Sequence, residues 1–264
     1  MTDRPLALVT GASSGIGFEL ARQFVEHGYD VVIAAEDDAI ETAAASLLDP
    51  SFEVRPVQVD LRTAGGVEQL YRAATEYGRH PSAVALNAGV GRGGTFLETD
   101  FDDELSIIGL NIRSTVHLAK LVLPGMVERN DGKLLFTSSI AATMPGAGQA
   151  VYNASKSFIQ SFAEALREEL RDTDVTVTAL LPGPTDTDFF RRAGMLGTRV
   201  GRMTKDDPAE VARQGVESLL SGRQQVFAAS LLSKAFGLAN HVLPDAVKAR
   251  AHRILSTPAR TGSH

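Results

Sequence analysis

Short apolar runs alternate along this chain with longer stretches whose apolar residues recur at helical spacing. The runs are "LALVT", "DVVIAA", "FEVRPVQVD", "SAVALNAG", "KLLFTSS", "VTVTALL" and "QQVFAA". Most are apolar throughout rather than alternating, the pattern of parallel strands covered on both faces. Between them lie stretches such as "GIGFELARQFVEHG" and "AGGVEQLYRAATEYG". In the first, Ile16, Leu20, Phe24 and Val25 share one helical stripe, and Gly28 offers a C-terminal stop. The alternation predicts an α/β fold: a single doubly wound, Rossmann-like parallel sheet with helices on both faces. At 264 residues the chain suits one large domain, placed here over 1–228. Residues 184–207 break the pattern with Gly194, Gly197, Gly201, four arginines and scattered Phe and Met. Such a segment is expected to be an irregular flap over a site. Beyond Ala228, helical patterns over 231–242 and 245–255 predict a C-terminal helical extension spanning 229–256. The first carries an apolar stripe through Phe227, Leu231, Leu238 and Val242, open to packing on a partner subunit, covering the site or touching a membrane surface, with packing favoured. The polar tail "TPARTGSH", 257–264, is expected to be disordered.

Composition narrows the function classes. A net charge of -6 offers none of the basic footprint that nucleic acid requires. With no cysteine, disulfides, thiolate chemistry and cysteine-held zinc are excluded. The N-terminus enters an apolar strand almost at once and shows no secretory leader. The most apolar long stretch, "VFAASLLSKAFGLANHVL", is interrupted by Lys234, Asn240 and His241, so no membrane span is expected. A cytoplasmic protein is the default expectation. Closed symmetric assemblies being common, so is a homo-dimer or homo-tetramer.

The loop "TGASSGIG" admits two chemistries. Gly11 to Gly15 fit G-x-S-x-G, the turn that presents a nucleophilic serine, here Ser13. Gly11, Gly15 and Gly17 also resemble a glycine loop that lets backbone approach a pyrophosphate at a helix N-terminus. The serine reading needs a later acid and then a later histidine. His27 and His80 lie near element ends, and His117 lies inside a helical pattern. His241, His252 and His264 lie in the tail region, where no strand end is available to aim them. The nucleotide reading is therefore preferred, with a merely structural turn as the bland alternative. Further along, Tyr152 and Lys156 are four apart and share a helix face. A nearby ammonium favours the phenolate and lowers a tyrosine pKa, so this pair suits acid–base work.

Taken in order, "TGASSGIG", "NAG" at Asn87-Ala88-Gly89, "YNASK" with Tyr152 and Lys156, and "PGPTDT" at Pro182 to Thr187 resemble the motifs of the classical short-chain dehydrogenase/reductase family. The resemblance runs over roughly Leu6 to Ala228. It implies a cofactor loop at Gly11, Ser13, Ser14, Gly15, Ile16 and Gly17, and a sheet-stabilising role for Asn87, Ala88 and Gly89. It implies contacts to the nicotinamide side from Pro182, Gly183, Thr185 and Thr187, and an adenine-edge contact at Asp60 with Leu61 beside it. It implies four catalytic residues. Tyr152 is the general acid–base, and Lys156 tunes it and holds the nicotinamide ribose. Ser139 polarises the carbonyl, and Asn111 kinks its helix and orders a water in a relay with Lys156. Ser138 is then a capping or packing residue.

The end of the second strand bears on which nicotinamide binds. It reads Ala34-Ala35-Glu36-Asp37-Asp38, and three carboxylates oppose a 2′-phosphate. NAD is expected in preference to NADP, with Glu36 or Asp37 on the ribose, although Ala35 stands where NAD-preferring relatives usually carry Asp. The expected reaction is hydride transfer between NAD(H) and a small-molecule secondary alcohol or ketone. The alternatives are an NADP(H)-dependent carbonyl reductase and a non-catalytic nucleotide-binding regulator. The expected substrate walls are 90–96, 140–146 and the flap residues Phe189, Phe190, Met195, Leu196 and Met203. This apolar lining favours a bulky hydrophobic molecule, while Arg191, Arg192, Arg199 and Arg202 belong to a solvated flap.

Overall fold

A computed structural model describes residues 4–228 and 245–256. The expected helix over 231–242 and the tail 257–264 lie outside the described residues. Seven parallel strands form one sheet in the order β3-β2-β1-β4-β5-β6-β7. They are β1 (Leu6–Thr10), β2 (Asp30–Ala35), β3 (Val54–Gln58), β4 (Ala83–Leu86), β5 (Gly132–Thr137), β6 (Val175–Pro182) and β7 (Gln225–Ala228). The order reverses direction between β1 and β4, which opens a crevice outside the strand C-termini.

Alternation along each strand feeds two separate cores. Leu6, Leu8, Val32 and Ala34 enter one core, with α3 (Ala64–Thr75), α5 (Thr115–Arg129) and α6 (Ala150–Glu169). Ala7, Val9, Val31, Ile33 and Ala35 enter the other, with α1 (Gly15–Glu26), α2 (Ala39–Ser46) and α8 (Pro208–Leu220). Helices on both faces explain why most of the strands are apolar nearly throughout. Local chemistry sets the helix ends: the Thr63 hydroxyl accepts from Gly66 N–H at 3.0 Å, and Asp207 with Pro208 starts α8.

Two places differ from plain periodicity. The single helical pattern around Asn111 is α4 (Phe101–Ile107), a π-turn (Ile108–Ser114) and then α5. The flap is ordered about a cluster of its own, Phe190, Ala193 and Met195. It contains α7 (Phe189–Arg192) and a bridge between Thr185 and Asp206. The last described element is α9 (Asp245–Ser256). No helix among the described residues is long and apolar enough to cross a membrane.

Candidate active site

The crevice at the strand C-termini is a cavity of about 380 Å³. Its floor is the turn from β1 into α1. Gly15 adopts φ +57°, and a Cβ there would lie 2.8 Å from Thr187 Cγ2. A Cβ on Gly17 would run into the Gly11 carbonyl. Both positions therefore require glycine. Ser14 precedes α1 without a side-chain cap, and the first turn carries no acid. The N-terminal N–H groups thus remain free for an anion, helped by the helix dipole.

Asn87 ties the strand ends together. Its Nδ2 donates to Thr10 O at 3.1 Å, and its Oδ1 accepts from Thr137 Oγ1 at 3.1 Å. Thr10 Oγ1 in turn accepts from the N–H groups of Asn87 and Ala88, each at 3.0 Å. Three parallel strands are clamped where the loops diverge.

At the end of β2, Ser13 Oγ donates to Asp37 Oδ2 at 3.3 Å. Arg192, from the flap, donates to the same oxygen at 3.2 Å. Asp37 Oδ1 is buried and has no hydrogen-bond partner among the described residues. Glu36 pairs with Arg62, whose Nε also donates to Asp60 at 2.9 Å. Glu36 and Asp37 thus each pair with an arginine. Neither arginine is adjacent in sequence to its partner, so the strand-end motif does not reveal them.

Ser139, Tyr152 and Lys156 line the same cavity. Lys156 Nζ donates to Thr137 O at 2.8 Å and stands 5.9 Å from the Tyr152 ring centroid. Ser138 Oγ donates to Lys156 O at 3.0 Å, the packing role expected of it. Burial pushes the Tyr152 phenol up to about 12, with a hydrogen bond from Ser139 acting against that rise. Burial lowers Lys156 to about 8. The expected depression of the tyrosine by its lysine is thus corrected. Desolvation of the phenol dominates, and the ammonium is committed to a carbonyl.

All the cofactor residues expected from the sequence border this cavity: Gly11, Ser13, Ser14, Gly15, Ile16, Gly17, Glu36, Asp37, Asp60, Leu61, Asn87, Ala88, Gly89, Pro182, Gly183, Thr185 and Thr187. Asn111 is not among the lining residues. Its Oδ1 accepts from Val90 N–H, and its Nδ2 donates to Val90 O and Ser155 Oγ, all at 2.9 Å. The side chain staples the loop after β4, and any catalytic part for Asn111 falls to its backbone in the π-turn.

The substrate side is formed by Met144, Phe189, Phe190, Val200 and Met203, among others. Phe189 lies against Tyr152, with ring centroids 5.2 Å apart. The expected walls are narrowed: residues 92–96, Ala142, Thr143, Pro145, Gly146, Met195 and Leu196 do not line the cavity. Met195 is buried in the flap's own cluster, and Leu196 is largely exposed. Arg191 does not line the cavity but pairs with Asp188, which does, whereas Arg192 lines it directly. No strand end was expected to aim the tail histidines, and it is a helix that brings one of them to the cavity. His252 and Leu255 of α9 line the cavity. No local signal announces that this helix packs on the loop leading into α6. His241 and His264 lie outside the described residues.

Comparison with known proteins agrees with this geometry. The short chain dehydrogenase profile matches residues 5–195. The NADP-dependent 3-hydroxy acid dehydrogenase YdfG of Salmonella typhi is 34% identical over 182 residues, covering 67% of this chain and 71% of the relative. A short-chain dehydrogenase from Sphingobium yanoikuyae in complex with NADPH superposes with TM-score 0.80 at 25% identity, covering 98% of each chain. A short chain dehydrogenase/reductase from Burkholderia phymatum in complex with NAD shares the fold, with TM-score 0.84 at 24% identity over 99% of each chain. Fold, motif order and profile converge: the chain belongs to the short-chain dehydrogenase/reductase family of oxidoreductases.

Proposed function

We propose that this protein transfers a hydride between NAD(H) and a hydrophobic secondary alcohol or ketone. The observation that carries the reading is the meeting of Ser139, Tyr152 and Lys156 with an uncapped helix N-terminus in one cavity. The residues fit a dinucleotide. The α1 N-terminus would take the pyrophosphate. The unpartnered Asp37 Oδ1 would accept from a ribose hydroxyl, which supports NAD. Lys156 would hold the nicotinamide ribose, and Thr187 the carboxamide. A nicotinamide bound here supplies the hydride.

Ser139 holds the substrate oxygen beside Tyr152. With its pKa near 12, Tyr152 is a protonated phenol at neutral pH. It therefore acts as a general acid, giving its proton to the oxygen of a ketone as that carbon is reduced.

A second reading, NADP(H), draws on Arg62 and Arg192 beside the ribose end. Both are already engaged by carboxylates, so a 2′-phosphate would have to displace those partners. Symmetric self-association remains the expected assembly. Paired titrations with NADH and NADPH, read by nicotinamide emission, test the cofactor. A ketone series read by nicotinamide absorbance tests the reaction. Tighter NADPH binding, or no turnover with any ketone, refutes the respective half.

A further inference from the structure

One part of the cavity wall comes from α9, which lies beyond the residues the family profile matches. This helix sits on the loop that leads into α6. His252 Nδ1 is 3.0 Å from Ala147 O, and Ser256 Oγ is 3.1 Å from the same nitrogen. Ser256 also crowds Gly148, where an added Cβ would lie 2.9 Å from the serine Cβ. A carbonyl oxygen only accepts, so Nδ1 carries the ring proton and Nε2 keeps a lone pair. Nε2 has no hydrogen-bond partner among the described residues. Burial lowers the pKa of the ring and favours this neutral form.

Gln149 stands two residues beyond Ala147 and also lines the cavity. Its side chain is buried, with the residue 7% exposed, and its Nε2 has no partner among the described residues. The surrounding wall is otherwise apolar, with Met144, Val200, Met203 and Leu255. Buried amides are ordinarily hydrogen-bonded, so this one calls for a group supplied from the cavity.

We propose that His252 and Gln149 together recognise a second oxygen on the substrate. The substrate class is then a largely apolar ketone, or its alcohol, that carries a hydroxyl group away from the reacting carbon. A hydroxyl satisfies both residues. Its proton goes to His252 Nε2, and its oxygen accepts from the Gln149 amide. A carboxylate has no proton to give to His252, and among the described residues that line the cavity Lys156 is engaged by Thr137 O. Arg192 is held by Asp37. This inference rests on the oxidoreductase reading for the reacting carbon, but not for the recognition of the hydroxyl.

The test uses the full chain and a ladder of para-hydroxyphenyl ketones of growing chain length, each beside its para-methyl counterpart. The wild-type protein should prefer the hydroxyl member of at least one pair by about tenfold or more in kcat/KM, carried by KM. His252→Leu and Gln149→Leu should each bring that ratio to parity while NADH still binds. A second readout needs no turnover. The His252 ring resonance, assigned by its loss in His252→Gln, should move on adding the preferred hydroxyl ketone and stay still with its methyl counterpart. A preference that survives both substitutions, or a resonance that no hydroxyl member moves, overturns the proposal. If the wild-type protein reduces no ketone, the oxidoreductase reading fails and the resonance alone decides whether the hydroxyl site exists.

Discussion

The two ends of the cavity are held together in different ways. At the glycine-loop end, the lining is mostly backbone and strand-end side chains, clamped by Asn87 and Thr10 across β1, β4 and β5. At the flap end, side chains from segments far apart in the chain meet over Tyr152. Gly93 N–H bonds Ala193 O at 2.9 Å, Gly94 N–H bonds Gly148 O at 3.0 Å, and α9 closes on Ala147. The first end moves only if the sheet moves. The second rests on a small cluster about Phe190 and on a helix that the sheet does not need. A fixed end suits geometry that must not vary, and a detachable end suits selection among substrates.

The sharpest break between the ends is chemical. Tyr152→Phe should lower turnover by about 10²–10⁴-fold while leaving NADH affinity in place, measured by ketone reduction and nicotinamide emission. Equal loss of both would join the two ends into one unit. A matched pair of truncations probes packing. Phe136→Ala, in the main core, should cost about 3–5 kcal/mol of unfolding free energy. Phe190→Ala should cost clearly less and act mainly through a higher ketone KM. Denaturant melts and steady-state kinetics on both variants decide it.

The protonation of the catalytic pair gives a stability signature. Lys156 titrates near 8 when folded, against 10.5 ordinarily, so between those pH values the unfolded chain binds the extra proton. Stability from this group therefore rises with pH across that window, by an upper bound of about 3 kcal/mol. Tyr152 acts in the opposite sense between 10 and about 12, where the unfolded chain loses its proton first. Relative to Lys156→Met, the wild-type protein should gain stability from pH 8 to 10.5; a flat difference would show that the amine is not buried as a free base. The smallest effect belongs to the ribose end. Asp37→Ala should cut the preference for NADH over NADPH by about 10–100-fold, as expected for losing a hydrogen bond to a charged group. An unchanged ratio would move cofactor choice away from this carboxylate.

The fixed end was also the legible one. Its strands announce themselves by continuous apolar runs, its turn by glycines between a strand and a helix, and Tyr152 and Lys156 by one helical spacing. These are local signals. What escaped was long-range. Arg192 reaches an aspartate 155 positions away, and His252 docks on a carbonyl 105 positions away. No window of sequence contains either pair. The tyrosine pKa escaped for a related reason: spacing reveals a neighbouring cation, but burial depends on everything packed around the phenol. At Asn111 the family resemblance implied a kinked helix, and only the fold shows a π-turn with the amide spent on Val90 and Ser155.

The most direct test of the central claim follows the hydride itself. NADH carrying deuterium at its reactive nicotinamide carbon is incubated with the protein and a hydrophobic ketone, and the product alcohol is examined by mass spectrometry. The label should appear on the carbinol carbon with the wild-type protein and be nearly absent with Tyr152→Phe, although that variant still binds NADH. Binding of NADH by the wild-type protein without label in any alcohol would contradict the account.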